Sequence, residues 1–157
     1  MESNGQQGKR AQVDAALDGW LDGQAHHYRC RIYYADTDLS GAVYHARYLE
    51  MLERGRSDLL RLSDILHSRL EARDNPIFWV VRHMAIDWLR SARIDDVVEI
   101  ATRVVEVRKA RVFMGQRITR GDEVLVEATV TAALVDPNGK PQRMPREWID
   151  MFAGRQG

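Results

Sequence analysis

The segment from Tyr33 to Tyr48 holds the side chains of this sequence that are most suited to chemistry. It places two carboxylates, Asp36 and Asp38, and one imidazole, His45, on either side of a glycine at position 41. The residues before it favour a strand and those after it a helix, so backbone N–H groups and the positive end of a helix dipole converge near the acids. A carboxylate beside a group of N–H donors is suited to attack on a carbonyl group, because the donors stabilise the oxyanion that forms.

The same acids also resemble the beginning of a calcium-binding loop. Such a loop closes with a bidentate glutamate six residues after its glycine, and here that position is Arg47. A cation at the position of the strongest ligand argues against calcium. Four other histidines lack partners at metal-ligand spacing: His26, His27, His67 and His83. We therefore expect no metal.

Length and composition exclude several classes of protein. The 157 residues suit one domain with its own core. Lysine plus arginine and aspartate plus glutamate number 23 each, so no net charge favours nucleic acid or an anionic membrane. The polar N-terminus does not resemble a secretory signal, and no run approaches the roughly 20 apolar residues that a membrane-spanning helix needs. We expect a cytoplasmic protein.

Residues 1–25 are predicted to form an extension outside the main domain, which then covers residues 26–153. Five apolar residues of the extension fall at helical spacing and predict a short amphipathic helix: Val13, Ala16, Leu17, Trp20 and Leu21. Trp20 would be the apolar anchor of that helix.

The next part of the chain predicts one strand and one long helix. The strand covers residues 28–34 and the helix residues 45–62. Gly55 in mid-helix predicts a close approach to a sheet, because glycine lowers helix stability unless its missing side chain is needed. Glu50, Arg54 and Asp58 are spaced as a solvated charge ladder, and Ser63 is predicted to cap a second short helix that ends near residue 72.

The second half of the chain predicts an antiparallel sheet. Strands are expected at residues 77–89, 97–108, 112–119 and 124–134, and a short helix at residues 145–152. Strands joined by short turns pair antiparallel, and one long helix with an apolar face must lie across them. The sequence therefore predicts an α+β domain with five strands.

A family resemblance is carried by the loop before the long helix. The motif is Asp36-x-Asp38-x-x-Gly41-x-Val43-Tyr44-His45-x-x-Tyr48. It resembles the motif of acyl-CoA thioesterases in the 4-hydroxybenzoyl-CoA thioesterase and YbgC group. The resemblance implies the hotdog fold, in which an antiparallel five-stranded sheet wraps around one long central helix with short accessory helices.

The resemblance implies that Asp38 is the catalytic group in the hydrolysis of a thioester. A carboxylate can attack the thioester carbonyl to form an anhydride, or act as a general base on water. The sequence leaves both routes open. It contains no Gly-x-Ser-x-Gly elbow and no visible Ser-His-Asp arrangement that would supply another nucleophile.

Smaller roles are predicted for the other residues of the motif. Gly41 permits a tight turn that directs the N–H groups of about Val43 to His45 at the thioester oxygen. His45 would bind the carbonyl or position water, and the Tyr34 hydroxyl would join the same cluster. Asp36 is expected to brace the loop by binding its backbone. The remaining two predicted substrate contacts form pocket wall or core: Tyr44 and Tyr48.

Coenzyme A, as part of the substrate, needs exposed cations for its phosphates, and no separate cofactor is expected. The densest basic cluster lies at a predicted hairpin and contains Arg108, Lys109 and Arg111. The resemblance places nucleotide contacts near this turn, although such a cluster is often only a solvated hairpin tip. It also implies a homo-oligomer, a dimer or a tetramer, with the Asp38 loop of one chain facing the basic hairpin of another.

Three functions compete. The first is an acyl-CoA thioesterase acting on CoA or acyl carrier protein thioesters. The second is an acyl-thioester hydratase or dehydratase of the same fold, which would pair its histidine and acid differently. The third is a non-catalytic partner that binds acyl thioesters or acyl carrier protein, and the presence of both Asp38 and His45 argues against it.

Overall fold

A computed structural model describes residues 16–156 of the chain. Its strands are β1 (Trp20–Asp22), β2 (Ala25–Arg31), β3 (Phe78–Trp88), β4 (Val97–Arg108), β5 (Arg111–Arg120) and β6 (Glu123–Val135). Its helices are α1 (Arg47–Leu62), α2 (His67–Glu71) and α3 (Arg146–Ala153), with a 3-10 turn at Tyr34–Asp36. None of the helices in this range is long and apolar enough to cross a membrane.

The strands form one sheet in the order β1-β2-β4-β5-β6-β3, and every neighbouring pair is antiparallel. The predicted α+β class and the run of four long strands are confirmed. β3 lies at one end of the sheet and pairs with β6 alone among the described strands. One edge of β3 is therefore free of a strand partner in this part of the chain.

The sheet has six strands and not five, because it begins earlier than the sequence predicts. Trp20 pairs with His27 and Asp22 with Ala25, and Gly23 makes the turn at a φ of +57°. The predicted helix through Trp20 and Leu21 is wrong for these residues, although Ala16 and Leu17 are helical. Val13 and the rest of residues 1–15 lie outside the described range.

Trp20 packs over the first strands as an apolar cover. Its ring stacks on the His27 ring at 5.3 Å, and the Arg29 guanidinium lies 4.6 Å from its centroid. The strand predicted at residues 28–34 is shifted to Ala25–Arg31, since Tyr34 enters the 3-10 turn. The ladder to β4 continues through the strand from Ala25 to Arg31.

Helix α1 lies across one face of the sheet, as its apolar spacing predicts. Its inward face buries Tyr48, Met51, Leu52 and Leu59. A side chain at Gly55 would place its Cβ 2.8 Å from Ile100, so the predicted close approach to the sheet is confirmed. These contacts fix the start of α1, and with it the loop before α1, against the sheet.

Two predictions around α1 are wrong. Asp58 is not part of a solvated ladder; it is buried against His26 of β2. Ser63 does not cap a second helix but ends α1, where its hydroxyl donates to the Leu59 carbonyl at 2.8 Å. Asp58 is buried by a contact with a residue distant in sequence, and the Ser63 hydroxyl binds a carbonyl four residues earlier in the chain. In both cases this contact outweighs the local sequence pattern.

Candidate active site

The segment that carries Asp38 is a tight turn between two bridged residues, Thr37 and Val43. The Asp38 N–H donates to the Ala42 carbonyl and the Gly41 N–H donates to the Asp38 carbonyl, both at 3.0 Å. Gly41 has a φ of +78°, a left-handed conformation that favours glycine, as the sequence predicts. Since both bonds close within five residues, the turn is held by its own backbone.

The Asp38 carboxylate is exposed and held by one neighbour. Its Oδ1 accepts hydrogen bonds from the Ser40 N–H at 2.8 Å and the Ser40 hydroxyl at 2.5 Å. Both hydrogen bonds lower the pKa of Asp38 below its usual range, and the bond from the hydroxyl has the larger effect. The nearby His45 adds a smaller effect in the same direction. The Oδ2 atom has no partner among the described residues. Asp38 is therefore an oriented, ionised carboxylate with one oxygen open to a substrate or water.

Asp36 braces the loop, as the sequence predicts. Its Oδ2 accepts from the Tyr33 N–H at 2.9 Å, and its backbone carbonyl accepts from the Tyr44 N–H at 2.9 Å. The first bond closes the 3-10 turn, and the second ties that turn to the segment just before α1. The two acids of the motif thus have different environments, because Asp36 is used by the backbone whereas Asp38 is directed outward.

His45 stands at the end of the same loop, beside two aromatic rings. Its ring centroid lies 4.5 Å from that of Tyr44 and 5.8 Å from that of Trp88, and the Trp88 indole N–H donates to the His45 carbonyl at 3.1 Å. The side chain is exposed. Trp88 ends β3, so the sheet itself positions His45 near Asp38.

The backbone donors of the site are fewer than predicted. The Val43 N–H is bound to the Ala92 carbonyl at 3.0 Å and the Tyr44 N–H to the Asp36 carbonyl, so neither can bind an oxyanion. The N–H groups of His45 and Ala46 have no partner among residues 16–156. They precede the first turn of α1, where helix N–H groups have no acceptor within the helix. The donors available to a thioester oxygen are thus His45 and Ala46.

The three tyrosines predicted at the site have different surroundings. Tyr48 is only 2 % exposed, and its hydroxyl accepts from the Ala92 N–H at 2.9 Å, so it is a core residue behind the loop. Tyr44 is exposed beside His45 and can line a pocket. Tyr34 is 82 % exposed and makes no hydrogen bond to Asp38, so the structure does not join it to the predicted cluster.

The predicted basic cluster lies at the other end of the sheet from the Asp38 loop. The loop is bridged to Arg93, just before β4 begins, whereas the hairpin follows the end of β4, about 36 Å away for an extended strand of this length. Arg108 is bound to Glu106 at 2.6 Å, while Lys109 and Arg111 are exposed. Within one chain the hairpin cannot reach Asp38.

Sequence reasoning missed three residues that build the site: Ser40, Trp88 and Ala92. Only Ser40 had a local signal, because an aspartate two residues before a serine is typical of a turn in which the carboxylate binds the backbone. Trp88 and Ala92 contact the loop from β3 and the segment after it, which no local pattern indicates.

Comparison with known proteins identifies the family of the chain. The thioesterase superfamily matches residues 40–127. The chain belongs to this superfamily. It is 40% identical over 118 residues to the acyl-CoA thioesterase YbgC of Haemophilus influenzae, a match that covers 74% of this chain and 86% of that one. It is 36% identical over 124 residues to the acyl-CoA thioester hydrolase YbgC of Escherichia coli, covering 78% and 91%.

A solved structure shows the same fold. The crystal structure of a probable thioesterase from Bartonella henselae superposes with a TM-score of 0.75 at 46% sequence identity. The match covers 77% of this chain and 99% of that one. The chain described here therefore has the predicted hotdog fold, with one strand more than predicted.

Proposed function

We propose that this superfamily member hydrolyses acyl-CoA thioesters at the Asp38 loop. One observation carries the proposal: an ionised carboxylate with a free oxygen lies in the same loop as two N–H groups, of His45 and Ala46, and none of the three has another partner among the described residues. The carboxylate supplies the attack, and the N–H groups stabilise the oxyanion that develops on the thioester oxygen. Thioester hydrolysis is also the reaction named for its relatives.

Two routes use the same atoms. In the first, Asp38 Oδ2 attacks the carbonyl carbon, the C–S bond breaks, and water then hydrolyses the resulting anhydride. In the second, Asp38 takes a proton from water as that water attacks the carbonyl carbon directly. Both release a free acid and a thiol. Neither requires a cofactor, since CoA is part of the substrate.

The test is an assay of free thiol with a panel of acyl-CoA and acyl carrier protein thioesters. Catalytic release of thiol from any of them supports a thioesterase. A hydratase or dehydratase would change the acyl group and leave the thioester intact, and a non-catalytic binding protein would show saturable binding without thiol release. Either result would contradict the proposal.

The hairpin at Lys109 and Arg111 is proposed to bind the phosphates of CoA. If it does, replacing both residues with alanine raises KM for acyl-CoA, most at low salt, and leaves kcat nearly unchanged, because such contacts bind ground and transition states alike. A pantetheine thioester lacks the nucleotide and is the control substrate. Equal loss on both substrates would assign these residues to a structural role.

A homo-oligomer is proposed because the distance between the hairpin and Asp38 requires a second copy at each site. Large apolar side chains are exposed at the loop and along β3, among them Tyr34, Leu39, Val81 and Trp88. Apolar groups clustered in this way mark surfaces that meet another protein. Light scattering should give a multiple of the 18.1 kDa chain mass, and a monomer at micromolar concentration would contradict it. The cytoplasmic location stays a prediction.

A further inference from the structure

The segment between β3 and β4, residues 89–96, lies against the loop that carries Asp38. Its central contact is Ala92, which is fully buried. The Ala92 carbonyl accepts from the Val43 N–H at 3.0 Å, and the Ala92 N–H donates to the Tyr48 hydroxyl at 2.9 Å. This β3–β4 segment is therefore bound both to the end of the Asp38 loop and to the first turn of α1.

Arg93 of the same segment contacts the loop closer to Asp38. Its backbone forms an antiparallel bridge with Ala42, and the Ala42 carbonyl accepts from the Asp38 N–H at 3.0 Å. A Cβ atom at Gly41 would lie 3.4 Å from the Arg93 guanidinium, so that side chain packs against the turn. A displacement of Arg93 would therefore displace the backbone that directs the Asp38 carboxylate.

Asp96 holds Arg93 in place. Asp96 Oδ2 accepts from the Arg93 N–H at 2.8 Å, and the Asp96 N–H donates to the Arg93 carbonyl at 3.1 Å. These two bonds close a turn over residues 93–96. Asp95, within this turn, has a φ of +69°, a left-handed conformation in which residues other than glycine are uncommon. Such a conformation persists only where the surrounding structure holds it, and Asp96 supplies two of the bonds that do so.

Arg120 of β5 connects Asp96 to the sheet. Its Nη1–H donates to the same Asp96 Oδ2 atom at 2.6 Å, and its Nη2–H donates to Glu123 of β6. Glu123 also accepts from Arg90, in the β3–β4 segment, at 2.6 Å. Burial raises the pKa of Asp96, but the bonds from the Arg93 N–H and from Arg120 outweigh it and hold that pKa below its usual value. Asp96 is thus an ionised carboxylate shared by the segment and the sheet.

We propose that Asp96, held by Arg120, is a positioning residue for thioester hydrolysis. Its side chain binds Arg93 and Arg120 and not Asp38, so it acts through Arg93 and Ala92 on the backbone of the Asp38 loop. This inference rests on the proposed thioesterase activity. A reaction at an oriented carboxylate is sensitive to such support, because a displacement of about 1 Å can cost about 100-fold in rate.

The first experiment compares Asp96→Ala with Asp95→Asn by thiol release from an acyl-CoA that the wild type hydrolyses. Asp96→Ala should lower kcat at least about tenfold and leave KM within about twofold, because Asp96 binds no part of the substrate. Asp95→Asn is the matched control. It removes the same charge from the same turn, asparagine tolerates the left-handed backbone, and the hydrogen bond from Arg31 goes to the Asp95 carbonyl, which asparagine keeps. It should behave as wild type.

The acid limb of kcat/KM separates positioning from a direct charge effect. Removing the negative charge of Asp96 can by itself only lower the pKa of Asp38. Loosening the loop instead weakens the two Ser40 bonds that depress this pKa, while His45, the titratable group that acts on Asp38, is unchanged. The acid limb of Asp96→Ala should therefore move to higher pH, and that of Asp95→Asn should not. A lower melting temperature alone moves neither kcat nor the limb when both are measured on folded protein well below that temperature.

Arg120→Ala is the second variant, which tests the proposal even where Asp96→Ala does not fold. It leaves the Asp96 bonds to Arg93 but removes their connection to the sheet, so kcat should fall several-fold and the acid limb should again move to higher pH. Arg117→Ala is its control on the same strand, because Arg117 pairs with Glu127 at the surface. Arg120→Ala with the kcat and acid limb of Arg117→Ala would overturn the proposal.

Other outcomes separate the positioning role from the proposed activity. If Asp96→Ala matches Asp95→Asn while Asp38→Asn is inactive, the positioning role is wrong and the thioesterase stands. If the wild type releases no thiol, the proposed function fails. An NMR titration of the Asp38 carboxyl group, which needs no activity, then shows whether Asp96 holds the loop, and an unchanged Asp38 pKa in Asp96→Ala would show that it does not.

Discussion

Two of the aspartate and histidine pairs in residues 16–156 have opposite environments. Asp38 is exposed near His45, and its one bonded oxygen is held by Ser40, two residues away. Asp58 is 9% exposed and His26 fully buried, and Asp58 Oδ2 accepts from the Gly19 N–H at 2.8 Å and the His26 Nε2–H at 2.6 Å. The pair of Asp38 and His45 lies on a surface loop. The pair of Asp58 and His26 joins α1, β2 and the segment before β1.

The difference decides which carboxylate is accessible to a substrate. Asp38 keeps one oxygen without a partner in the described chain and has access to water, whereas the bonded oxygen of Asp58 is used by two donors inside the protein. Desolvation, opposed by Asp58, lowers the pKa of His26, so burial rather than the partner decides its charge. We expect the exposed pair to control activity and the buried pair to control stability.

The largest expected effect is that of Asp38→Asn on turnover. The amide keeps the shape of the side chain but lacks the negative charge that either route needs, so kcat should fall at least about 100-fold. The measurement is thiol release at saturating acyl-CoA. Asp36→Asn is the control in the same loop and should lose less activity but more thermal stability, because Asp36 binds the backbone.

Circular dichroism and the oligomer mass of Asp38→Asn should match wild type. Turnover near that of wild type in the folded variant would remove Asp38 as the catalytic group. The contrast between the two aspartate and histidine pairs would then have no chemical meaning.

The next effect is that of Asp58→Ala on stability. Removing the carboxylate leaves the buried His26 Nε2–H and the half-buried Gly19 N–H without an acceptor, and we expect the free energy of unfolding to fall by about 3 kcal/mol. Denaturant titration measures it. Arg69→Ala is the control, because Arg69 forms an exposed ion pair with Asp64 that should contribute less than about 1 kcal/mol. Equal losses in the two variants would contradict a special role for the buried pair.

How far the sequence predicts this molecule depends on the range of the contacts involved. The residues of β6 from Val124 to Leu134 alternate apolar with more polar side chains, Gly55 interrupts an apolar-faced helix, and Gly41 permits a tight turn. These features follow from the local pattern alone. The orientation of Asp38 by Ser40 is equally local. A reader of the sequence can therefore find the main helix, most of the sheet and the Asp38 loop.

The remaining features depend on residues distant in sequence. Trp20 has helical spacing with its neighbours, but its pairing with β2 places it in a strand. The spacing of Asp58 predicts an exposed charge ladder, but Asp58 is buried in its contact with His26 of β2. The Val43 N–H would be a free donor if the Ala92 carbonyl did not accept from it. Tertiary contacts decide all three.

A smaller effect is expected from acid on the buried pair. Since burial lowers the pKa of His26 in the folded protein, the unfolded chain binds a proton there first as the pH falls below about 6.5. The stability contributed by neutral His26 is thus present above that pH and is lost below it. Unfolding titrations between pH 7 and 5 should show a steeper decline for wild type than for His26→Gln, by at most about 1.4 kcal/mol per pH unit. Parallel declines would contradict the assignment.

The smallest expected effect belongs to Ser40→Ala. The Ser40 hydroxyl is the main cause of the lowered pKa of Asp38, and the Ser40 N–H, which alanine keeps, is the second. Because a depressed pKa keeps the carboxylate ionised as the pH falls, removing the hydroxyl should move the acid limb of kcat/KM to higher pH while activity at pH 7 changes little. Thr37→Ala is the matched control, since the Thr37 hydroxyl donates to the Tyr34 carbonyl and not to Asp38. If the two variants shift the acid limb equally, the hydroxyl of Ser40 stabilises the loop as a whole and does not set the charge of Asp38, and the exposed pair would resemble the buried pair more closely than its geometry indicates.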